Sequence, residues 1–209
     1  MQVTAFRSYC RTPDRNNYNV CHKAHMHEQY LGDSFDILKR FWVHLLSPTA
    51  SMLAHPRFIP RDLQIRFTQL TGAPIFDPNS PPRTAYSLLL DPHTGIPLPQ
   101  AVNQNLRVSH APIDFIASLF NDSALAFIAC FDQTTKREPG ISLVDQLDRK
   151  REQLLTHKIS SFYYVSHAPF LFASRSPETL TAIRQSMIDA GIPTETSTTV
   201  RLQTVNKVP

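Results

Sequence analysis

Between residues 34 and 46, Leu38, Phe41, Trp42, Leu45 and Leu46 recur at spacings of three and four, and Pro48 closes the run. That period predicts an amphipathic helix. A second helix is predicted over 60–71, where Pro60 suits the first helical position and Leu63, Phe67 and Leu70 share a face. Gly72 suits its C-terminal cap. Continuous apolar runs follow at 85–90 and 124–131, each short enough for a buried strand. Helices are predicted over 112–120, opened by Pro112, and 142–157, where Ser142-Leu-Val-Asp145 resembles a capping box. Phe162–Val165 and Phe170–Ala173 are strand-like. Ser176-Pro-Glu178 opens a last helix that closes at Gly191, and Thr198–Thr204 is predicted as an edge strand.

Apolar strands alternating with amphipathic helices predict an α/β fold, a three-layer sandwich with a mostly parallel central sheet covered on both faces. The alternation carries from residue 85 onward and is poor before residue 60. Residues 1–29 are rich in Arg, Asn and His with little apolar periodicity, and are expected to form an N-terminal extension. Residues 30–209 are expected to form a single α/β domain. Val108-Ser-His-Ala-Pro112 recurs as Val165-Ser-His-Ala-Pro169, but five residues in two different contexts do not establish a duplication.

The 42% hydrophobic content supports a packed core and argues against wholesale disorder. Five glycines stand against 17 prolines, and the prolines cluster in Pro56–Pro60, Pro74–Pro82 and Pro92–Pro99 as rigid connections. A net charge of +4 is compatible with nucleic acid without demanding it. The densest basic cluster, Arg149-Lys-Arg151, reads as a solvated helix face. No apolar stretch approaches the ~18 residues of a membrane-spanning helix. The polar first 19 residues lack the apolar centre of a secretory signal. Three cysteines suggest no disulfide framework, and a reduced, cytoplasmic setting is expected.

Candidate chemistry centres on carboxylates. Asp91 follows the apolar run Tyr86–Leu90 and precedes Pro92-His-Thr-Gly95, so a strand delivers it to the rim of the sheet, where ligands bind in such folds. Asp132 follows the run Ala124–Cys130, and Asp33 and Asp36 stand at the mouth of the first helix. If the two strands are neighbours, Asp91 and Asp132 are expected to approach one another at one edge. Carboxylates gathered in this way need a cation. Asp33, Asp91 and Asp132 are the candidate ligands of Mg²⁺, which activates water and stabilises a phosphoryl transition state. Lys39, one turn beyond Asp36, would neutralise phosphate charge.

Each residue also has a structural reading. Asp33 suits a helix N-cap, Asp36 can pair with Lys39 or Arg40, and Asp91 can start a turn. Cys10, Cys21, His22, His25 and His27 offer metal ligands, but their spacing matches no standard zinc pattern. Cys130 reads as a buried core thiol. No phosphate-binding loop, G-x-S-x-G, H-E-x-x-H or G-x-G-x-x-G sequence occurs.

Tyr30-Leu-Gly-Asp-Ser-Phe-Asp-Ile-Leu-Lys-Arg40 resembles the signature Y-F-G-D-x-x-D-x-x-K-x-x-L-L of a poorly characterised bacterial and phage family. Leu90-Asp-Pro-His-Thr-Gly-Ile96 is similar to that family's F-D-P-D-N-G-I, and Phe131-Asp-Gln-Thr-Thr-Lys-Arg137 to its Y-Q-H-x-x-R. The resemblance spans about residues 30–205 and would suit a phage or phage-defence setting. A more distant similarity is to the ribosomal-RNA adenine N6-methyltransferases, which begin with a stretch like H-A-G-N-x-A-D-V-L-K-H and carry D-P-P-[FY]-E at a strand end. This likeness implies a Rossmann-like, methyltransferase-like fold. It implies that His27, Asp33, Asp36 and Lys39 lie near an S-adenosylmethionine site and Asp91-Pro92 at the catalytic one. His93 and Thr94 replace the second proline and the aromatic residue of that motif, and the glycine-rich first strand is missing.

Three functions follow as expectations. One is metal-dependent phosphodiester hydrolysis of nucleic acid or nucleotides, with Asp91, Asp132 and Lys39 as the catalytic group. Another is nucleic-acid methyl transfer from S-adenosylmethionine in an atypical pocket. The third is a non-catalytic module that binds a partner protein or nucleic acid.

Overall fold

A computed structural model describes residue 28 and residues 31–98, 109–133, 141–196 and 200–206. The first helix, α1 (Ser34–Leu46), has the predicted limits, and the Asp33 side chain caps it by accepting from Phe35 N and Asp36 N. Strand β1 (Ser51–Ala54) follows at once, then two 3₁₀ turns, Pro56–Phe58 and Arg61–Leu63. Helix α2 (Gln64–Thr71) is the second half of the helix predicted over 60–71, since Pro60 starts a 3₁₀ turn that only then relaxes into α geometry. Gly72 ends it at φ +78°, the left-handed conformation that glycine adopts without steric cost. Then come β2 (Tyr86–Leu90), α3 (Ile113–Leu119), β3 (Leu125–Phe131), α4 (Leu143–Thr156), β4 (Ser160–Tyr164), β5 (Phe170–Ser174) and α5 (Pro177–Asp189). The capping box predicted at Ser142 and Asp145 is present.

The five strands lie in the order β1-β2-β3-β5-β4. The β1–β2 and β2–β3 ladders are parallel, and the β3–β5 and β5–β4 ladders are antiparallel. The sheet is therefore mixed, and the expectation of a mostly parallel sheet holds for its first three strands alone. The cause is local: the segment 165–169 between β4 and β5 is far too short for a parallel crossover, so the two strands form a hairpin. The second copy of the repeated pentapeptide is this hairpin loop.

Two apolar layers flank the sheet. Trp42, Phe67, Leu89, Phe127, Phe172 and Ile183 pack on the face that carries α1, α2 and α5. Leu88, Ile116, Ile128, Leu147, Leu154 and Leu171 pack on the face that carries α3 and α4. Successive strand residues alternate between these layers, as the pleat requires. The sandwich is thus α/β in three layers.

Both sheet edges are covered. Ala54 exchanges backbone hydrogen bonds with Pro74 and Phe76 beside β1. Residues 200–206 run along β4, where Gln203 N donates to Tyr163 O and Asn206 N to Ser161 O. This tail replaces the predicted edge strand with isolated bridges at Leu202 and Asn206; the residues at 198 and 199 lie outside the described ones. No helix among the described residues is long and apolar enough to cross a membrane.

Candidate functional site

The carboxyl ends of β2 and β3 and the start of α1 meet around a pocket of about 250 Å³, lined by Leu31, Asp33, Phe35, Asp36, Lys39, Asp91, Pro92, His93, Phe131 and Gln133. Asp91 arrives there because Leu89 faces the α1 layer and Leu90 the α3 layer, so the next side chain turns back toward α1. One turn into α1, Lys39 reaches across. Its Nζ donates to Asp36 Oδ1 at 2.8 Å and to Asp91 Oδ2 at 2.7 Å, an interaction between residues 52 apart in sequence. Asp36 Oδ2 accepts from Gly32 N at 2.7 Å. The three charged side chains are each at most 6% exposed.

Two carboxylates and one ammonium leave this buried group with an excess negative charge when all are ionised. Burial pushes Asp91 above the usual carboxylate range, and Lys39 only partly offsets that rise. Burial alone would lower the Lys39 pKa, but Asp91 and Asp36 together outweigh it and leave it raised, so Lys39 stays an ammonium. Its Nζ also lies 5.3 Å from the centre of the Phe131 ring and 5.8 Å from that of Phe67. Asp91 lines the pocket, and its Oδ1 receives no hydrogen bond from the described residues. Phe35 and Phe131, with ring centres 5.2 Å apart, form an aromatic wall beside it.

Asp132 has a different setting. It accepts Lys150 Nζ at 2.7 Å and Tyr163 Oη at 2.8 Å on Oδ2, and Ile96 N at 2.9 Å on Oδ1. Lys150 and Asp132 are both fully buried, on the α3–α4 side of the sheet. Burial, reinforced by Asp132, pushes the Tyr163 hydroxyl well above its ordinary value.

The structure thus brings Asp33, Asp36, Lys39 and Asp91 to one pocket and leaves Asp132 out of it. The expected trio of Asp33, Asp91 and Asp132 does not converge, and no group of three His, Cys, Asp or Glu among the described residues is placed to hold a metal. Asp33 serves as the α1 cap while also lining the pocket. Cys130 is fully buried, as expected of a core thiol. His27, with Cys10, Cys21, His22 and His25, lies outside the described residues.

Lys150 was hidden in Arg149-Lys-Arg151, which reads as a solvated cluster. The signal that distinguishes it is spacing: with Leu147 and Leu154 it falls on the buried stripe of α4. Phe35, Phe131, His93 and Gln133 carry no signal of their own, and only their proximity to Asp91 makes them pocket walls. No protein-family model matches the chain, and no curated protein or solved structure matches it either.

Proposed function

We propose that this chain is a Rossmann-like, methyltransferase-like α/β protein that binds nucleic acid or a nucleotide and takes an unstacked base into the Asp91 pocket. One observation carries the reading. The segment Asp33–Lys39 and the segment Asp91–His93, which the methyltransferase likeness assigns to a cofactor site and a catalytic site, line the same hollow. A base suits its chemistry. The Phe35 ring, tilted 43° to Phe131 behind it, offers an apolar face for stacking, and Asp91 can accept a hydrogen bond from an exocyclic amino group.

The donor set does not fit Mg²⁺. Lys39 Nζ already stands between Asp36 and Asp91, and Asp132 is committed to Lys150 and Tyr163. Metal-assisted hydrolysis therefore loses the ligands that motivated it. S-adenosylmethionine is supported only in part: Asp33 and Asp36 line the pocket, but β1 ends in His55-Pro56 and a 3₁₀ turn, with no glycine to let a backbone approach the cofactor. Methyl transfer is the second reading, and the shared pocket is what favours it.

Calorimetry with the full chain tests these readings. The expected result is saturable binding of adenosine monophosphate or a short single-stranded oligonucleotide, weakened about tenfold or more in Asp91→Asn. Equal affinity in the variant rules out the pocket as the site. Saturable binding of S-adenosylmethionine moves the assignment to methyl transfer, and binding of Mg²⁺ that Asp91→Asn abolishes restores the hydrolase.

A further inference from the structure

On the opposite flank of the β2 end lies a cation that no ion pair explains. β1 continues as His55, whose N–H donates to Leu89 O at 3.0 Å, so the chain turns away beside the end of β2. The turn is a 3₁₀ helix, capped by His55 Nδ1, which accepts from Arg57 N at 3.1 Å. Arg57 then lays its guanidinium over the Phe115 ring, 4.4 Å from its centre, with Phe58 at 5.8 Å. Its Nε is buried and has no hydrogen-bond partner among the described residues. No carboxylate among the described residues pairs with it.

A half-buried arginine is ordinarily paired, because desolvating a charge without a partner is costly. Here the Phe115 ring lies against the cation on one side, with the guanidinium carbon 4.4 Å from the ring centre. The planar donor fork is thereby preorganised for an oxyanion with paired acceptors, which a phosphate supplies. The neighbouring His55 is uncharged at neutral pH, since burial, with help from Arg57, lowers its pKa to about 4, so Arg57 is the cation that an anion meets there.

We infer that Arg57, held over the Phe115 ring at the carboxyl rim of the sheet, is a phosphate-binding residue that holds the backbone or terminal phosphate of the ligand whose base enters the Asp91 pocket. This rests on the proposed function. It adds the phosphate to the substrate class and places it on the side of β2 away from Lys39, whose ammonium is already committed to Asp36 and Asp91.

The test is titration of a fluorescein-labelled single-stranded oligonucleotide into the full chain at several salt concentrations, with wild type, Arg57→Met and Arg57→Lys. Arg57→Met is expected to weaken binding about tenfold and to reduce the magnitude of the salt slope by about 0.7. Arg57→Lys, which keeps the charge and loses the fork, falls between. Competition by inorganic phosphate or adenosine monophosphate that vanishes in Arg57→Met assigns a terminal phosphate. Competition by unlabelled oligonucleotide alone assigns the diester backbone. Unchanged affinity and slope in Arg57→Met overturn the inference, as does an absence of binding by wild type. Asp91→Asn separates the two proposals. Loss in Asp91→Asn with none in Arg57→Met leaves the pocket standing and removes the phosphate site. Loss in Arg57→Met with none in Asp91→Asn does the reverse.

Discussion

Asp91 and Asp132 end neighbouring parallel strands and point to opposite faces of the sheet. Leu90 pairs with Cys130 across the ladder, so Asp91 stands level with Phe131 and Asp132 lies one residue further. With a side-chain period of two, that single step sends one carboxylate toward α1 and the other toward α4. Each then meets its own lysine: Lys39 for Asp91 and Lys150 for Asp132. The two faces share a charge pattern but not a site.

The Asp36–Lys39–Asp91 group predicts a large penalty for losing its cation. Lys39→Met leaves two buried carboxylates facing each other without compensation, and is expected to cost about 3–5 kcal/mol of stability. Adding Asp91→Asn to that variant removes one of the stranded charges and recovers part of the loss. Urea denaturation of both proteins measures this. A cost below about 1 kcal/mol for Lys39→Met is the value for a solvated pair and contradicts the burial.

Asp91 makes stability depend on pH. Its carboxyl is held above the ordinary value of 3.8, so the folded chain retains a proton that the unfolded chain has released. The unfolded state then binds fewer protons, and stability from this group is full at low pH and falls as pH rises through the folded pKa. Asn has no such proton to lose. The stability of Asp91→Asn relative to wild type is therefore expected to increase as pH rises above 3.8, measured as the difference in urea midpoints at each pH. A difference that is flat, or that shrinks, shows that Lys39 outweighs burial.

His55 acts in the opposite sense. Burial first, then the charge of Arg57, lowers its pKa from 6.5 to about 4. The unfolded chain takes up a proton that the folded chain refuses, so stability is lost as pH falls from 6.5 toward about 4. The full window is worth up to about 3 kcal/mol. His55→Asn, which can retain an acceptor for Arg57 N, is expected to flatten that part of the stability profile. An unchanged acid slope in the variant means that other groups cause it.

Much of the scaffold was legible because long periodic segments announce themselves. Helix α1 was fixed by five apolar residues at helical spacing, and α4 by its capping box. Strand β1 was not legible: four residues between Pro48 and Pro56 are too few for a period. The reversal of β5 could have been read from the short gap between Tyr164 and Phe170, which admits a hairpin and no crossover. The site divides in the same way. That Asp91, Asp36 and Lys39 come together could be read from a strand end and a helix start, which meet at the same rim of the sheet. Asp132 was misplaced because its face depends on register with β2, which no run of residues in either strand specifies.

Asp132 predicts a local effect distinct from its global one. Its Oδ1 accepts the Ile96 N–H, which ties the turn carrying Pro92 and His93 to the end of β3, while Oδ2 anchors Lys150 and Tyr163. Asp132→Ala removes the carboxylate that pairs with the fully buried Lys150 ammonium and is expected to cost about 3–5 kcal/mol. Asp132→Ala with Lys150→Met removes both charges and restores part of that stability, but it still leaves Ile96 N without its acceptor. Amide hydrogen exchange separates the two roles. In the double variant, exchange at Ile96 is expected to speed up more than at Leu89 or Ile128 in the sheet interior, because the turn opens locally while the sheet persists. The turn forms one wall of the pocket, so the same variant weakens ligand binding more than its stability loss explains. Equal acceleration at all three amides means that Asp132 serves the core alone and that the turn is held by Thr94 N and Ala111 N, which donate to Ser109 O and Gly95 O.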